Sequence, residues 1–264
     1  MIVLKGNVEK YLRSKIKEEG ALHITLIDPD KVTPDQANLL ARTAAEAGSS
    51  AIMVGGSLGV SEGLLDDVVM AIKEAGLPVI IFPSNATTLS KHADAVLFMS
   101  LLNSSNPYFI IDAQMIGASI IKKYGLEPLP TGYLVLGQDT TVGFVGQVRP
   151  IPMDKPEIAA LYALAAQYLG MRFLYLEGGS GAKSPVPTKI VSEVRRGVEL
   201  VLMVGGGIRT GEEAKAIVEA GADVVVTGTV IEEKGARVLK EVVAGVKKGA
   251  QNRYRRSDEE GGRT

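Results

Sequence analysis

The chemistry of this chain gathers where a carboxylate meets glycine. Glu177 closes the apolar run Phe173 to Leu176 and is followed by Gly178, Gly179, Ser180 and Gly181. A carboxylate there can take a proton from a hydroxyl, and glycines let backbone N–H groups approach an anion with no side chains in the way. The pair reads as a phosphate grip beside a base. Gly-rich turns after strands can also do no more than turn the chain. What favours the phosphate reading is recurrence: Val204-Gly205-Gly206-Gly207 and Thr227-Gly228-Thr229 repeat the punctuation after the next two apolar runs.

Oxygen ligands occur at two other exits. Asp28 ends an apolar run in Asp28-Pro29-Asp30, a setting that also suits a turn start or a cap. Ser57 follows Gly55-Gly56. Together they form a sparse oxygen site suited to Mg²⁺, which keeps most of its waters and leans on a substrate diphosphate. His23 and His92 have no second His or Cys at ligand spacing and read as core or surface residues. Lys31 and Arg209 could screen phosphate charge or lie on the surface.

The elements that would position these groups alternate along the chain. Eight apolar runs read as strands: Ala21 to Ile27, Ala51 to Val54, Pro78 to Phe82, Ala95 to Met99, Tyr133 to Leu136, Phe173 to Leu176, Leu200 to Val204 and Val224 to Thr227. Helical segments separate most of them, the first announced by Thr33-Pro34-Asp35, a cap followed by proline in the first turn. After strand three the pattern changes, because Pro83 to Leu89 is rich in turn formers and leaves no length for a helix. Residues 137–155 read as a hairpin or loop over one face, and Val8, Leu12 and Ile16 form a narrow apolar stripe on a helix that covers the bottom or side. The expectation is an α/β fold, a (β/α)8 TIM barrel with an atypical third βα connection. It forms one domain over residues 1–248, followed by a polar, disordered tail over 249–264. In such a barrel the strand ends converge on one face, so Asp28, Ser57, Tyr175, Glu177, Ser180, Gly206, Gly207, Gly228 and Thr229 would meet there.

Composition agrees. The chain has 264 residues, enough for one α/β barrel, and its hydrophobic content of 46% includes only 5% aromatics and no Trp. That is the Val, Ile, Leu and Ala filling of a parallel sheet buried on both faces. A formal charge of −1 with interspersed signs argues against nucleic-acid binding. The absence of cysteine excludes disulfides, zinc thiolates and thiol nucleophiles. No apolar run reaches membrane-span length and residues 7–19 lack a signal-peptide centre, so the expected location is cytoplasmic.

In combination and in this order, His23 to Lys31, Val54 to Ser57, Tyr175 to Ala182, Val204 to Arg209 and Gly228-Thr229 closely resemble the geranylgeranylglyceryl phosphate synthases, barrel prenyltransferases of archaeal ether-lipid synthesis. The resemblance spans about residues 21–245 and extends to a bacterial branch that uses a longer prenyl chain. It implies that sn-glycerol 1-phosphate is held by Tyr175, Leu176, Glu177, Gly178, Gly179, Ser180, Gly181, Gly206, Gly207, Gly228 and Thr229. It also implies that Asp28 and Ser57 hold Mg²⁺ on geranylgeranyl diphosphate, with Glu177 as base and Tyr175 orienting the hydroxyl or phosphate. The atypical third connection would leave a lateral apolar groove for a C20 chain, walled by Pro83 to Leu89, Tyr108, Phe109 and Tyr133. A homo-oligomer, and transient membrane contact for the lipid product, are further implications. Two other functions fit the glycine exits: a phosphosugar isomerase or cyclase, with Asp28 as the second acid or base, and a non-catalytic barrel that binds phosphate ligands.

Overall fold

The computed structural model describes residues 7–56, 59–136, 140–228 and 236–261, with side chains through residue 255. Eight parallel strands close into a barrel in sequential order: β1 (Leu22–Ile27), β2 (Ala51–Gly55), β3 (Val79–Phe82), β4 (Ala95–Leu101), β5 (Glu127–Val135), β6 (Phe173–Glu177), β7 (Val201–Gly205) and β8 (Val224–Thr227). The helices are α1 (Val8–Glu19), α2 (Pro34–Ala47), α3 (Glu62–Lys73), α4 (Ala113–Tyr124), α5 (Thr141–Val145), α6 (Pro156–Tyr168), α7 (Thr188–Gly197), α8 (Gly211–Glu219) and α9 (Ala236–Gly261). A π-helical turn, Tyr108–Asp112, leads into α4.

Strand alternation sorts the side chains into two layers. Ile24, Met53, Ile80, Leu97, Tyr133, Tyr175, Met203 and Val226 fill the barrel interior, whereas Ile52, Ile81, Leu134, Leu176, Val204 and Val225 meet the helices. Local chemistry starts the helices where the sequence indicates. Thr33 with Gln36, and Thr210 with Glu213, form reciprocal capping boxes at α2 and α8. Helix α1 closes the N-terminal mouth: Val8 and Leu12 are fully buried in the interior cluster, and Glu127 Oε2 accepts from the Val8 amide at 2.5 Å.

Three elements differ from the sequence reading. Strand β5 begins at Glu127, six residues early, despite Pro128 and Pro130. The register explains the tolerance: β6 first pairs opposite Thr131, so the missing proline amides leave no rung unmade on that side. The segment expected to be a hairpin or loop carries the short helix α5 and a single antiparallel bridge, Ser104 to Val148. The polar tail continues α9 to Gly261 instead of ending the fold at 248. Its first residues have partners at the base of the barrel. Arg253 donates to Ala222 O at 3.0 Å, Asn252 to Glu219 at 2.5 Å, and Tyr254 packs over Gly20.

The third connection contains no helix. Asn85 Oδ1 accepts from the amides of Thr87 and Thr88 at 2.9 and 2.7 Å, which folds the segment into a side-chain-capped turn. Consequently the ladder between β3 and β4 has two rungs, Ile80 with Ala95 and Ile81 with Val96, while β4 pairs with β5 through Leu101. The barrel wall is open beyond Val96 on the side facing β3.

Candidate active site

The exits of β6 and β7 interlock through glycine. The Gly178 amide donates to Gly205 O at 2.9 Å, and the Gly179 amide donates to Glu177 Oε1 at 2.5 Å. Gly206 has φ +85°, and a Cβ there would lie 2.5 Å from the Gly179 amide nitrogen and 2.6 Å from Glu177 Oε1. Only glycine lets these two turns and the carboxylate occupy the same corner. The expected grip residues Gly178, Gly179, Ser180, Gly181, Gly206, Gly207 and Gly228 all stand on this face, at or just past the strand ends. Leu176 contributes backbone alone, because its side chain is fully buried in the helix layer. Ser57 and Thr229 lie outside the described residues.

Glu177 is 7% exposed. Burial pushes its carboxyl from 4.5 up to about 7, against the opposing pull of the Gly179 amide and the Tyr133 hydroxyl. A carboxylate tuned to that value suits proton abstraction near neutral pH. The tyrosine that reaches it is Tyr133, whose Oη donates to Glu177 Oε2 at 3.3 Å. Tyr175, expected to orient substrate, is 1% exposed and packs edge-on against Phe82 and Tyr133, with ring centroids 5.5 and 5.6 Å away. Its hydroxyl occupies the space where a Cβ of Gly205 would be, 2.0 Å from that position. Tyr175 therefore supports Tyr133 from below. Burial, and then the charge of Glu177, hold both phenols well above their usual range, so both stay protonated.

Opposite Glu177, Asp28 and Lys31 line the same cavity, with Lys31 Nζ 3.3 Å from Asp28 Oδ2 and the Asp30 amide 3.1 Å from Asp28 Oδ1. The cavity has a volume of about 290 Å³. It runs from this polar mouth, where Ser180 and Gly228 also line it, past Phe82 and Tyr133 and through the open wall to Leu89, Val96 and Ile121 in the helix layer. Of the expected groove walls, Pro83, Ser84, Asn85, Ala86, Leu89, Tyr108, Phe109 and Tyr133 line it, whereas Thr87 and Thr88, inside the expected 83–89 segment, do not. Missed in the sequence were the α4 stripe Ala113, Gln114, Gly117 and Ile121, and Thr141, Val142, Val145 and Gly146 around α5. The spacing of 113, 117 and 121 marks one helix face, but apolar spacing alone does not tell a groove wall from a core contact.

The remaining candidates are structural. His23, in β1, is buried, with Nδ1 2.8 Å from Ser49 Oγ and Nε2 2.8 Å from Thr227 Oγ1; burial lowers its pKa to about 3, so it stays neutral. His92 Nε2 lies 3.9 Å from Asp66. Arg209 NH1 donates to Lys183 O at 3.1 Å, tying the β6 and β7 exit segments together.

This arrangement can be compared with known proteins. The sequence pattern of the PcrB family matches residues 14–246. A geranylgeranylglyceryl phosphate synthase of Thermofilum pendens is 54% identical over 255 residues, covering 96% of this chain and 100% of that protein. That of Thermococcus kodakarensis is 54% identical over 248 residues, covering 92% and 98%. Among solved structures, the (S)-3-O-geranylgeranylglyceryl phosphate synthase of Thermoplasma acidophilum in complex with sn-glycerol-1-phosphate superposes with a TM-score of 0.86 at 39% identity, covering 90% of this chain and 98% of that one. With the family pattern spanning most of its length, relatives more than half identical along nearly their whole chains and a solved structure of the same fold, this chain belongs to the PcrB family, in the branch of the geranylgeranylglyceryl phosphate synthases.

Proposed function

We propose that this protein transfers a geranylgeranyl group from geranylgeranyl diphosphate to the C3 hydroxyl of sn-glycerol 1-phosphate. The observation that carries the reading is the continuity of one cavity from the glycine exits and Glu177 to an apolar groove through the barrel wall. A small phosphosugar would leave that groove unused, so an isomerase or cyclase is not favoured. The phosphate of the acceptor fits the exits of β6, β7 and β8, where glycines and small residues leave the backbone open to an anion. The sn-glycerol-1-phosphate bound to the Thermoplasma relative supports the same acceptor here.

In the reaction the bond between the allylic C1 and the diphosphate oxygen breaks, and a bond from C1 to the glycerol O3 forms. The hydroxyl proton passes to the Glu177 carboxylate, and diphosphate leaves with the bonding pair. Tyr133 holds Glu177 in place through its hydroxyl, and Phe82 and Tyr175 hold the Tyr133 ring edge-on. Among the described residues no three His, Cys, Asp or Glu side chains form a metal cluster. The Asp28 carboxylate at the mouth suits Mg²⁺, an ion that keeps several waters and needs few protein oxygens; Asp28, with Ser57, would hold it beside the diphosphate. Held there, the ion would supply charge neutralisation to the leaving diphosphate. Lys31, beside Asp28, adds a second positive charge on that side.

The protein is further proposed to self-associate, since Leu161, Tyr168 and Leu169 leave exposed apolar surface on and just after α6. Among the described residues no helix is long and apolar enough to cross a membrane, so contact with the lipid phase would be peripheral and transient. The deciding experiment incubates the protein with Mg²⁺, labelled geranylgeranyl diphosphate and each glycerol phosphate enantiomer. A lipid-extractable product with the sn-1 enantiomer is expected; folded protein that yields none overturns the assignment.

A further inference from the structure

The open wall leaves backbone groups that a closed ladder would have used. Pairing between β3 and β4 stops at Val96, yet β4 continues to Leu101 with β5 as its other neighbour. Met99 lies three residues past the last β3 rung, and its carbonyl oxygen accepts from Gln114 Nε2 on α4. The same Nε2 donates to Phe109 O at 3.2 Å in the π-helical turn, and Ser100 Oγ donates to Ile110 O at 2.7 Å one step along. A single side-chain amide thus joins β4, the turn and the first residues of α4, and Gln114 also lines the groove.

Two details separate this amide from ordinary packing. Its orientation is fixed by chemistry, because turning it over would set Oε1 against two carbonyl oxygens. In the orientation so fixed, Oε1 is buried without a hydrogen-bond partner. A buried acceptor with no donor is unfavourable, and an apolar residue of the same size would avoid it. What an apolar residue cannot do is satisfy Met99 O at the place where the sheet has been opened.

We propose that Gln114 is a positioning residue for the prenyl diphosphate: its amide takes the place of the missing β3 rung, pins α4 to the free edge of β4, and so holds the groove open at the width the prenyl chain needs. This rests on the reading of the groove as the prenyl site. The hydrogen bonds of Gln114 go to Met99 and Phe109 and to none of the described acceptor residues, so its influence falls on one substrate. A role confined to stability would lower the melting temperature without separating the two substrates.

The test measures steady-state kinetics for both substrates in wild type, Gln114→Glu, Gln114→Leu and Gln114→Lys. Gln114→Glu keeps the shape but loses the donor, Gln114→Leu loses both donor and orphan acceptor, and Gln114→Lys restores an N–H donor. For Gln114→Glu and Gln114→Leu the KM of geranylgeranyl diphosphate should rise about tenfold, the size of one lost hydrogen bond. The KM of glycerol 1-phosphate should hold within about twofold, and Gln114→Lys should show a smaller rise in the prenyl diphosphate KM than the other two variants. Parallel changes in both KM values, or no change in either, overturn the proposal. If wild type itself fails to turn over the C20 diphosphate, the prenyltransferase reading falls and the proposal with it; normal wild-type turnover with unresponsive variants removes only Gln114.

Discussion

The two halves of the site are built in opposite ways. On the acceptor side, the exits of β6, β7 and β8 bring backbone together: Gly178 bonds to Gly205, and Gly206 packs on the Gly179 amide and the Glu177 carboxylate. On the donor side, the groove exists because something is left out, namely a helix after β3 and the β3–β4 rungs beyond Val96. One half is a close-packed turn that tolerates no added atom. The other is a gap bordered by apolar side chains from β3, β4, the π-helical turn, α4 and the segment around α5. Substitutions on the acceptor side should therefore act on position and charge, and those on the donor side on shape.

The largest effect is expected at the point where the halves meet. Glu177→Gln keeps the size of the side chain and removes the base, so kcat should fall by at least about 100-fold, the scale of general-base catalysis. Calorimetric affinity for glycerol 1-phosphate should change little, because the grip is mostly backbone. Retained turnover would remove Glu177 from the chemistry and leave the acceptor half as a binding site only.

Gly206→Val comes next. Its Cβ would press on the Gly179 amide and Glu177 Oε1 at a backbone conformation, φ +85°, that valine resists. The KM for glycerol 1-phosphate should rise tenfold or more, about 1.4 kcal/mol or more, while the affinity for prenyl diphosphate is spared. If both affinities fall together, the two halves are not separable as described.

The contrast between halves also explains what could be seen in the sequence. Glu177 and the glycines of three consecutive exits are contiguous runs of small residues, so their pattern survives without coordinates, as do the eight apolar runs that carry them. Pro83 to Leu89 showed a missing helix because proline and asparagine mark turns. The α4 stripe was not legible, since Gly117 and Ile121 look like any helix face that packs on a sheet. Nor could Tyr133 be told from Tyr175 as the partner of Glu177. Both side chains point into the barrel, and only the register, Tyr133 opposite Tyr175 and Val135 opposite Glu177, decides which phenol reaches the carboxylate. Strand β5 was cut short because prolines argue against a strand unless the neighbouring strand has yet to begin.

The donor side can be probed by shape alone. Gly117 is buried on α4 and lines the groove, and a Cβ there would press on Ala86 O at 3.1 Å, closer than ordinary contact. Gly117→Leu should press α4 and the 83–89 segment apart, crowd the groove and raise the KM for geranylgeranyl diphosphate by about tenfold, the scale of an overpacking penalty of about one to three kcal/mol. Farnesyl diphosphate, with a shorter chain, should be affected less, and glycerol 1-phosphate hardly at all. Equal effects on C15 and C20 substrates would mean that the chain does not pass Gly117.

The smallest expected effect is on pH dependence, and it tests how tightly Glu177 is held. In the enzyme without substrate its carboxyl titrates at about 7, so kcat/KM should rise about tenfold per pH unit below that value and level off above it, as the base loses its proton. The Tyr133 hydroxyl favours the charged form, which places it among the influences that lower this pKa. Tyr133→Phe removes that donor while keeping the ring against Phe82 and Tyr175, so the midpoint should move up in pH. Below the midpoint activity drops a few-fold, and at high pH it returns toward wild type. A midpoint that moves down, or a loss of activity that pH does not restore, would mean that Tyr133 acts on the substrate and not through Glu177.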